Sequence, residues 1–295
     1  MNHSIKTAGM SNADYHNHPA VGSSRLKLMA VPARFAAAIP VASTAALRFG
    51  SVFHAWVEGK PIHITGLDCQ RRSKEDRQRW SDFFSGHGAD GASITDRPAA
   101  EWDDTFTAQT GKIIASQAQI ASVGCMATSI SASPEAMACL TGGQAELSIF
   151  WTDLETGIDL KCRPDHLNPL FCGELKTAAD ASERGFQGAV MRYGYHISAA
   201  MYLDGIRQAR MGIDQRHRFV VVEKLPPYLC AVYQLSDAAI AVGHAEYRRL
   251  LHLLAECRQR NEWPGLPGNL ELDLPVWAYN DDITDNINLE DSDHE

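Results

Sequence analysis

Residues 158–177 constrain the fold more than any other part of the chain. Two short apolar runs, residues 158–163 and 170–176, are joined by a loop that begins with Pro164-Asp165. This pattern predicts two neighbouring strands, and side chains on a strand point to alternate faces. On the second strand Glu174 and Lys176 then share one face, while Leu175 points into the core. A hairpin of this kind brings Asp165 beside Glu174.

Two carboxylates and a lysine in this arrangement favour metal-dependent hydrolysis of a phosphodiester. Asp165 and Glu174 offer the hard oxygen ligands that suit Mg²⁺ or Mn²⁺, ions that keep several waters and accept a substrate phosphate. The metal would generate hydroxide and neutralise charge, and Lys176 would position the attacking water or stabilise the developing charge. The spacing resembles the PD-(D/E)XK nuclease motif. The simpler alternative is a surface hairpin with an ordinary salt bridge.

Composition excludes several other classes of protein. No apolar run reaches the length of about 18 residues that a membrane span requires. The motifs of serine hydrolases, zinc proteases and P-loop proteins do not occur. The seven cysteines contain no C-x-x-C pair, which indicates a reducing cytoplasm and argues against an iron–sulfur cluster. Cys162 and Cys172 flank the motif and are interpreted as packing residues.

The charge of −9 is concentrated at the end of the chain. Residues 281–295 carry seven acids and no Lys or Arg, and the rest has 27 bases against 29 acids, a charge of −2. A body that is nearly neutral can still hold a basic channel. We therefore expect a mobile N-terminal arm over residues 1–22, a single nuclease domain over 23–280 and a disordered acidic tail over 281–295.

The order of predicted elements indicates an α/β fold with a mixed central sheet flanked by helices. Residues 86–110, rich in Gly, Ala, Asp and Thr, are expected to form a long loop. Helices are predicted from about Arg25, over 44–58 and 111–129, from Pro134, and over 185–210 and 238–260. Strands are predicted over 146–153, 158–163, 170–176, 219–224 and 229–234.

Several segments, in order, resemble the RecE-type exonucleases, that is, exodeoxyribonuclease VIII and related PD-(D/E)XK proteins of phages and prophages. The resemblance extends from about Tyr15 to Ala278. The matching segments are residues 19–27, 46–54 and 144–148, Cys162-Arg163-Pro164-Asp165, Glu174-Leu175-Lys176-Thr177, Tyr193-Gly194-Tyr195-His196, residues 202–205 and 222–228, and Trp263-Pro264-Gly265.

This resemblance implies a set of site residues. Its catalytic positions fall on His54, Asp165, Glu174 and Lys176, and its metal-binding positions on His54, Asp165, Glu174 and Leu175. Four further residues are expected to support the site: Glu58, Glu146, Ser198 and Tyr202. Glu58 either orients His54 from one helical turn away or is simply exposed. Ser198 stands where the family usually has glutamine, which puts the positioning of substrate or water in question.

The resemblance also implies an activity and partners. The expected protein is a cytoplasmic, Mg²⁺-dependent exonuclease that degrades linear double-stranded DNA from its ends, 5′-to-3′. It would leave 3′ single-stranded overhangs, which a single-strand annealing protein uses in recombination. A homo-oligomeric ring around DNA is implied as well. Two alternatives stay open: a non-cleaving module for DNA binding or phage–host interaction, with Ser198 and the acidic tail as signs of divergence, and a sequence-specific endonuclease.

Overall fold

The computed structural model describes residues 5–37, 44–67, 71, 73–209, 216–269 and 271–273. The chain divides into two compact units, Met1–Trp263 and Pro264–Glu295. The described residues of the second unit form no helix or strand. The predicted acidic tail, residues 281–295, lies outside the described residues.

The first unit contains both helices and strands throughout its described length. The α-helices are α1 Asn12–Asn17, α2 Ser23–Leu26, α3 Pro32–Ala37, α4 Ala45–Val57, α5 Lys74–Gly86, α6 Gly91–Thr95, α7 Trp102–Thr110, α8 Gln117–Ser131, α9 Pro134–Leu140, α10 Glu183–Tyr193, α11 Tyr195–Gln208 and α12 Asp237–Arg260, with 3-10 turns at Lys27–Ala30 and Ala99–Glu101. The strands are β1 Ile5–Thr7, β2 Ile62–Thr65, β3 Ile113–Ser116, β4 Gln144–Ala145, β5 Ser148–Thr152, β6 Asp159–Cys162, β7 His166–Leu167, β8 Phe171–Ala178, β9 Arg216–Glu223 and β10 Cys230–Gln234.

A five-stranded mixed sheet forms the centre of the fold. Its strand order is β10-β9-β8-β7-β4, with β8 and β9 parallel and the other pairs antiparallel. One face, which includes Leu175 and Val220, packs on α4, α8 and α9. The opposite face, which includes Phe219 and Val221, packs on α10 and α11. The predicted α/β fold with a mixed sheet between helices is confirmed.

The described part of the N-terminal segment is not the free arm that the sequence predicts. Strand β1 pairs with β5, with Lys6 opposite Ile149. The buried Arg163 guanidinium donates hydrogen bonds to Asn12 Oδ1 and to the Met10 carbonyl, at 2.8 and 3.2 Å. A polar composition suggested mobility, but a strand pairing and a buried arginine attach residues 5–22 to the body.

The predicted partner of the motif strand was wrong. Strand β6, the predicted residues 158–163, pairs with β5 in a separate three-stranded sheet, β1-β5-β6. Instead the two-residue strand β7 forms the hairpin with β8. Asn168 makes this tight turn, since its Oδ1 accepts hydrogen bonds from the N–H groups of Leu170 and Phe171 at 2.9 and 2.8 Å.

Residues 86–110 fold into α6, a 3-10 turn and α7 rather than the predicted long loop. The apolar side chains of this region close a separate small core around Trp80, Phe84, Trp102 and Phe106. The predicted helix over 111–129 is also corrected, because its first residues form β3, which pairs in parallel with β2. These contacts join segments distant in sequence, and local composition does not show them.

The remaining predicted helices and strands lie close to their expected positions, with one division. The predicted helix over 185–210 is two helices, α10 and α11, which meet at Gly194 with a φ of +61°. The six described cysteines are free thiols, and Cys162 and Cys172 are buried in the core. Within the described residues, the helices are too short or too polar for a membrane span.

Candidate active site

The hairpin of β7 and β8 brings the two motif carboxylates together. In this antiparallel pair His166 lies opposite Gly173, so the same register continued by one residue puts Asp165 opposite Glu174. The N–H group of Leu175 donates a hydrogen bond of 2.6 Å to Asp165 Oδ2. The Leu175 side chain is buried in the core. Its main chain therefore orients the aspartate while its side chain anchors the strand.

Glu174 and Lys176 share a face of β8, as the alternation predicts. The Lys176 ammonium donates a 2.7 Å hydrogen bond to Glu174 Oε1, and the two side chains are 20% and 12% exposed. Glu174 Oε2 is buried and has no hydrogen-bond partner. A buried carboxylate oxygen without a partner is costly, so it marks a place where a cation would be stabilised.

His54 reaches this pair from helix α4. Thr44 caps that helix, its Oγ1 accepting from the N–H group of Leu47 at 3.2 Å. His54 Nδ1 lies 3.7 Å from Asp165 Oδ1 and 3.7 Å from Glu58 Oε1. The imidazole therefore stands between the site aspartate and the glutamate one helical turn further on.

Burial and close charges perturb the site's acids and bases. Burial, followed by the charge of Glu174, raises the pKa of Asp165 to about 6. Burial also acts against ionisation of Glu174, but the charge and hydrogen bond of Lys176, together with the neighbouring imidazoles of His217 and His54, outweigh it and lower the Glu174 pKa. Burial opposes the charged forms of Lys176 and His54, yet the neighbouring carboxylates outweigh it and raise the pKa of both. The site therefore contains two adjacent carboxylates of unequal pKa and a charged lysine.

The residues that were expected to support the site occupy three different surroundings. Glu58 and Glu146 both contact the ammonium of Lys60, at 2.5 Å each. The Glu146 N–H group also donates to the Asp165 carbonyl at 3.1 Å. Ser198 Oγ accepts a 3.0 Å hydrogen bond from Lys27. Tyr202 lies partly buried against the core, and burial followed by the charge of Glu174 raises its pKa.

Sequence reasoning missed two of these lysines. Lys60 links α4 to the strand connection at Glu146, a contact between residues 86 positions apart. Lys27 bonds to Ser198 across 171 positions, at the place where the resembling family has glutamine. Lys27 lies within the segment 19–27 that resembles the exonuclease family, and this match is the one feature of the sequence that pointed to it. Lys60 lies after the matching segment that contains His54, and nothing in the sequence pointed to it.

A cleft of about 960 Å³ opens above the site. Its walls include His54, Asp165, Glu174 and Lys176. They carry six Lys or Arg, namely Lys27, Arg48, Lys60, Arg163, Lys176 and Lys224, and five Asp or Glu, namely Asp103, Asp104, Glu146, Asp165 and Glu174. The cleft is therefore close to neutral although the whole chain carries −9. A cation bound by Asp165 and Glu174 would make it positive.

The donor set fits a hard divalent cation. Among the described residues no three His, Cys, Asp or Glu side chains converge to hold a metal by themselves. Asp165 and Glu174 nevertheless present adjacent carboxylates, and one oxygen of Glu174 lacks a partner. Magnesium is typically held by one or two carboxylates together with water and substrate phosphate, rather than by a cage made only of protein. The pair suits such an ion.

Comparisons with known proteins agree with this fold. A family model described as a PDDEXK-like domain of unknown function (DUF3799) matches residues 24–273. The fold is similar to the crystal structure of a candidate exonuclease from Eubacterium rectale, with a TM-score of 0.53, 15% identity, and coverage of 92% of this chain and 98% of that one. A search of curated proteins gives no significant match. The chain thus belongs to the PDDEXK-like domains of unknown function and has the fold of the PD-(D/E)XK nuclease superfamily.

Proposed function

We propose that the chain is a metal-dependent deoxyribonuclease that degrades linear double-stranded DNA from its ends. One observation carries the proposal: Asp165 and Glu174 lie side by side in the cleft, Lys176 is hydrogen-bonded to Glu174, and Glu174 Oε2 is buried without a partner. A surface salt bridge explains this combination poorly, because both carboxylates are mostly buried and lie beside each other with one Glu174 oxygen left without a hydrogen-bond partner.

The residues have distinct roles in this proposal. Asp165 and Glu174 would hold Mg²⁺ or Mn²⁺, with His54 at the edge of the site, and the bound ion would activate water and neutralise phosphate charge. The Leu175 N–H group keeps Asp165 in place. Lys176, whose pKa is raised, stays protonated and can donate to the attacking water or to a phosphate oxygen. Lys60 fixes Glu58, and Glu58 lies beside His54.

The finer features of the proposal rest on the resemblance to RecE-type exonucleases. These are 5′-to-3′ degradation, a 3′ single-stranded product passed to a single-strand annealing protein, and a homo-oligomeric ring on the DNA. The near-neutral cleft supports DNA as substrate, since its walls become more positive once Asp165 and Glu174 are neutralised by metal. Light scattering of the full chain measures the oligomeric state.

The test compares two DNA substrates under four metal conditions. Linear duplex labelled at the 5′ or 3′ end, and covalently closed circular duplex of the same sequence, are incubated with Mg²⁺, Mn²⁺, Ca²⁺ or EDTA. The proposal expects hydrolysis of linear DNA alone, with Mg²⁺ or Mn²⁺, and the order of label release gives the polarity. Cutting of the closed circle would mark an endonuclease. Binding of DNA without hydrolysis under all four conditions would mark a non-cleaving module and overturn the proposal.

A further inference from the structure

The junction between α10 and α11 sets two tyrosines side by side at the cleft. Helix α10 ends at Tyr193 and α11 begins at Tyr195, with Gly194 between them at a φ of +61°. A side chain at this position would be strained by the left-handed backbone, and its Cβ would lie 2.9 Å from Lys27 Cδ. The two tyrosine rings that result have centroids 5.5 Å apart and planes inclined by 32°.

The two rings have different surroundings. Tyr195 is packed into the core of the sheet face, with ring centroids 5.7 Å from Phe219 and 6.1 Å from Phe186. Tyr193 is 53% exposed and lines the cleft. A single exposed aromatic ring is common on protein surfaces. Tyr193 differs because it lies at the active-site cleft and packs on the Tyr195 ring, which in turn packs on the buried Phe219.

The position of Tyr193 relative to the reacting groups is bounded by two distances. The Lys176 ammonium lies 5.3 Å from the Tyr195 ring centroid. Together with the separation of the two tyrosines, this places the Tyr193 ring within about 11 Å of the Lys176 ammonium. A phosphate bound at Lys176 therefore carries its base, or the next base of the same strand, within reach of Tyr193.

The main chain under Tyr193 is fixed before any ligand binds. The Lys27 ammonium donates to the Tyr193 carbonyl at 2.8 Å, to the Gly194 carbonyl at 3.5 Å and to Ser198 Oγ at 3.0 Å. Lys27 comes from the 3-10 turn after α2, so a separate element holds the helix junction. A fixed aromatic surface loses little conformational freedom when a ligand covers it.

We propose that Tyr193 is a stacking surface for an unpaired base of the DNA strand that enters the cleft. This inference rests on the proposed function, since it takes a nucleic acid strand as the ligand at Lys176. A DNA base can stack on the Tyr193 ring only where it is not already stacked on a neighbouring base, as at a frayed duplex end or in a single strand. The subsite therefore favours an unpaired strand over intact duplex and tolerates any base, because every base has a π-face.

The test measures binding rather than cleavage. A single-stranded oligonucleotide with 2-aminopurine near its end is titrated with the full chain in EDTA, and a covalently closed duplex competes in a parallel titration. Loss of one stacked base should weaken binding of the single strand about five- to 150-fold in Tyr193→Ala. Tyr193→Phe should bind like the wild type. The matched control is Met191→Ala, on the same helix and 66% exposed but outside the cleft lining.

Each outcome bears on the proposal. Unchanged binding of the single strand by Tyr193→Ala, equal losses for single strand and closed duplex, or no single-strand binding by the wild type would overturn it. If Tyr193→Ala melts early, Tyr193→Leu replaces it, keeping apolar area without a ring. Hydrolysis of linear DNA by the wild type with Mg²⁺ is measured alongside. If the wild type hydrolyses DNA and Tyr193→Ala binds the single strand as tightly as the wild type, only the stacking proposal is refuted. If the wild type does not hydrolyse DNA, the nuclease proposal is refuted, and the binding measurements still test the stacking proposal.

Discussion

Replacing Asp165 with asparagine should stabilise the metal-free protein at neutral pH. The aspartate lies opposite Glu174 and its side chain is only 20% exposed. Burial and the neighbouring charge raise its pKa from 3.8 to about 6. Asparagine has nearly the same shape, can still accept the hydrogen bond from the Leu175 N–H group, and carries no charge. The substitution therefore removes an unfavourable ionisation while it keeps the local contact.

The magnitude follows from the two pKa values. A carboxyl group with a pKa of about 6 in the folded chain and 3.8 in the unfolded chain lowers the free energy of unfolding by about 3 kcal/mol once it is fully ionised. The attraction of His54 and Lys176 for the ionised Asp165 is already contained in this shift, so no separate amount is subtracted for it. A gain of about 3 kcal/mol therefore follows, which for a domain of this size raises Tm by roughly 6 °C or more.

The sign of the pH dependence is fixed by the direction of the shift. Below about pH 3 the carboxyl is protonated in both states, and at pH 4 the unfolded chain has only begun to lose its proton, so wild type and Asp165→Asn should still have similar stability. As pH rises from 4 to 6 the unfolded chain releases this proton before the folded chain does, and the wild type loses stability relative to the variant. Above pH 7 the difference should be constant.

Urea unfolding in EDTA from pH 4 to pH 8, followed by circular dichroism, measures this difference. The matched control is Asp180→Asn on the surface, where hydrogen bonds from Ser182 lower the aspartate pKa, so that variant should lose stability above pH 4. Adding Mg²⁺ should reduce the difference in unfolding free energy between Asp165→Asn and the wild type, because the ion stabilises only the wild type, which binds it. A variant no more stable than the wild type at pH 8, or a gap that is the same at pH 4 and pH 8, would refute the reasoning.

Four further predictions address the site and its surroundings. Lys176→Ala should lower DNA hydrolysis at least ~10²-fold with the fold retained; full activity on end-labelled duplex would exclude its role. His54→Ala should raise the Mg²⁺ concentration needed for activity ~10- to 100-fold, whereas an unchanged metal titration with a lower Tm would make it a packing residue. Arg163→Ala should speed hydrogen exchange of residues 5–22, which the guanidinium attaches to the body; unchanged protection contradicts this attachment. Truncation after Asn280 should tighten DNA binding at low salt and less so at physiological ionic strength, where the Debye length is about 8 Å; equal binding at every salt concentration would exclude an electrostatic tail.

The motif strand was predictable because its information is local. Alternation alone placed Glu174 and Lys176 on one face and Leu175 in the core, as the burial of β8 shows. The juxtaposition of Asp165 and Glu174 was also predicted, but through the wrong strand. Strand β7 has two residues, too few for a period to be visible, and the turn at Asn168 is made by side-chain hydrogen bonds.

Long-range contacts account for most of what the sequence did not predict. Helix α7 contains two Asp and three Thr residues, which gives it little local helical signal, and it is stabilised by burial of Trp102 and Phe106 in a small core. Strand β3 forms by pairing in parallel with β2, which lies about fifty residues earlier in the chain. The same limit applies to the site, where Lys27 and Lys60 reach it from distant segments. The periodicity of a sequence does not report such contacts between distant segments.

The charges around the site indicate why metal uptake should depend on pH. In the metal-free protein Lys176 neutralises Glu174, and Asp165, with a pKa of about 6, keeps a proton readily. The pKa of His54 is raised, so its imidazole is also inclined to hold a proton. A divalent ion requires the carboxylates ionised and a histidine ligand neutral, so its binding must displace these protons. Metal affinity should therefore fall as pH drops through 6, because below that pH the ion has to displace the proton that Asp165 holds.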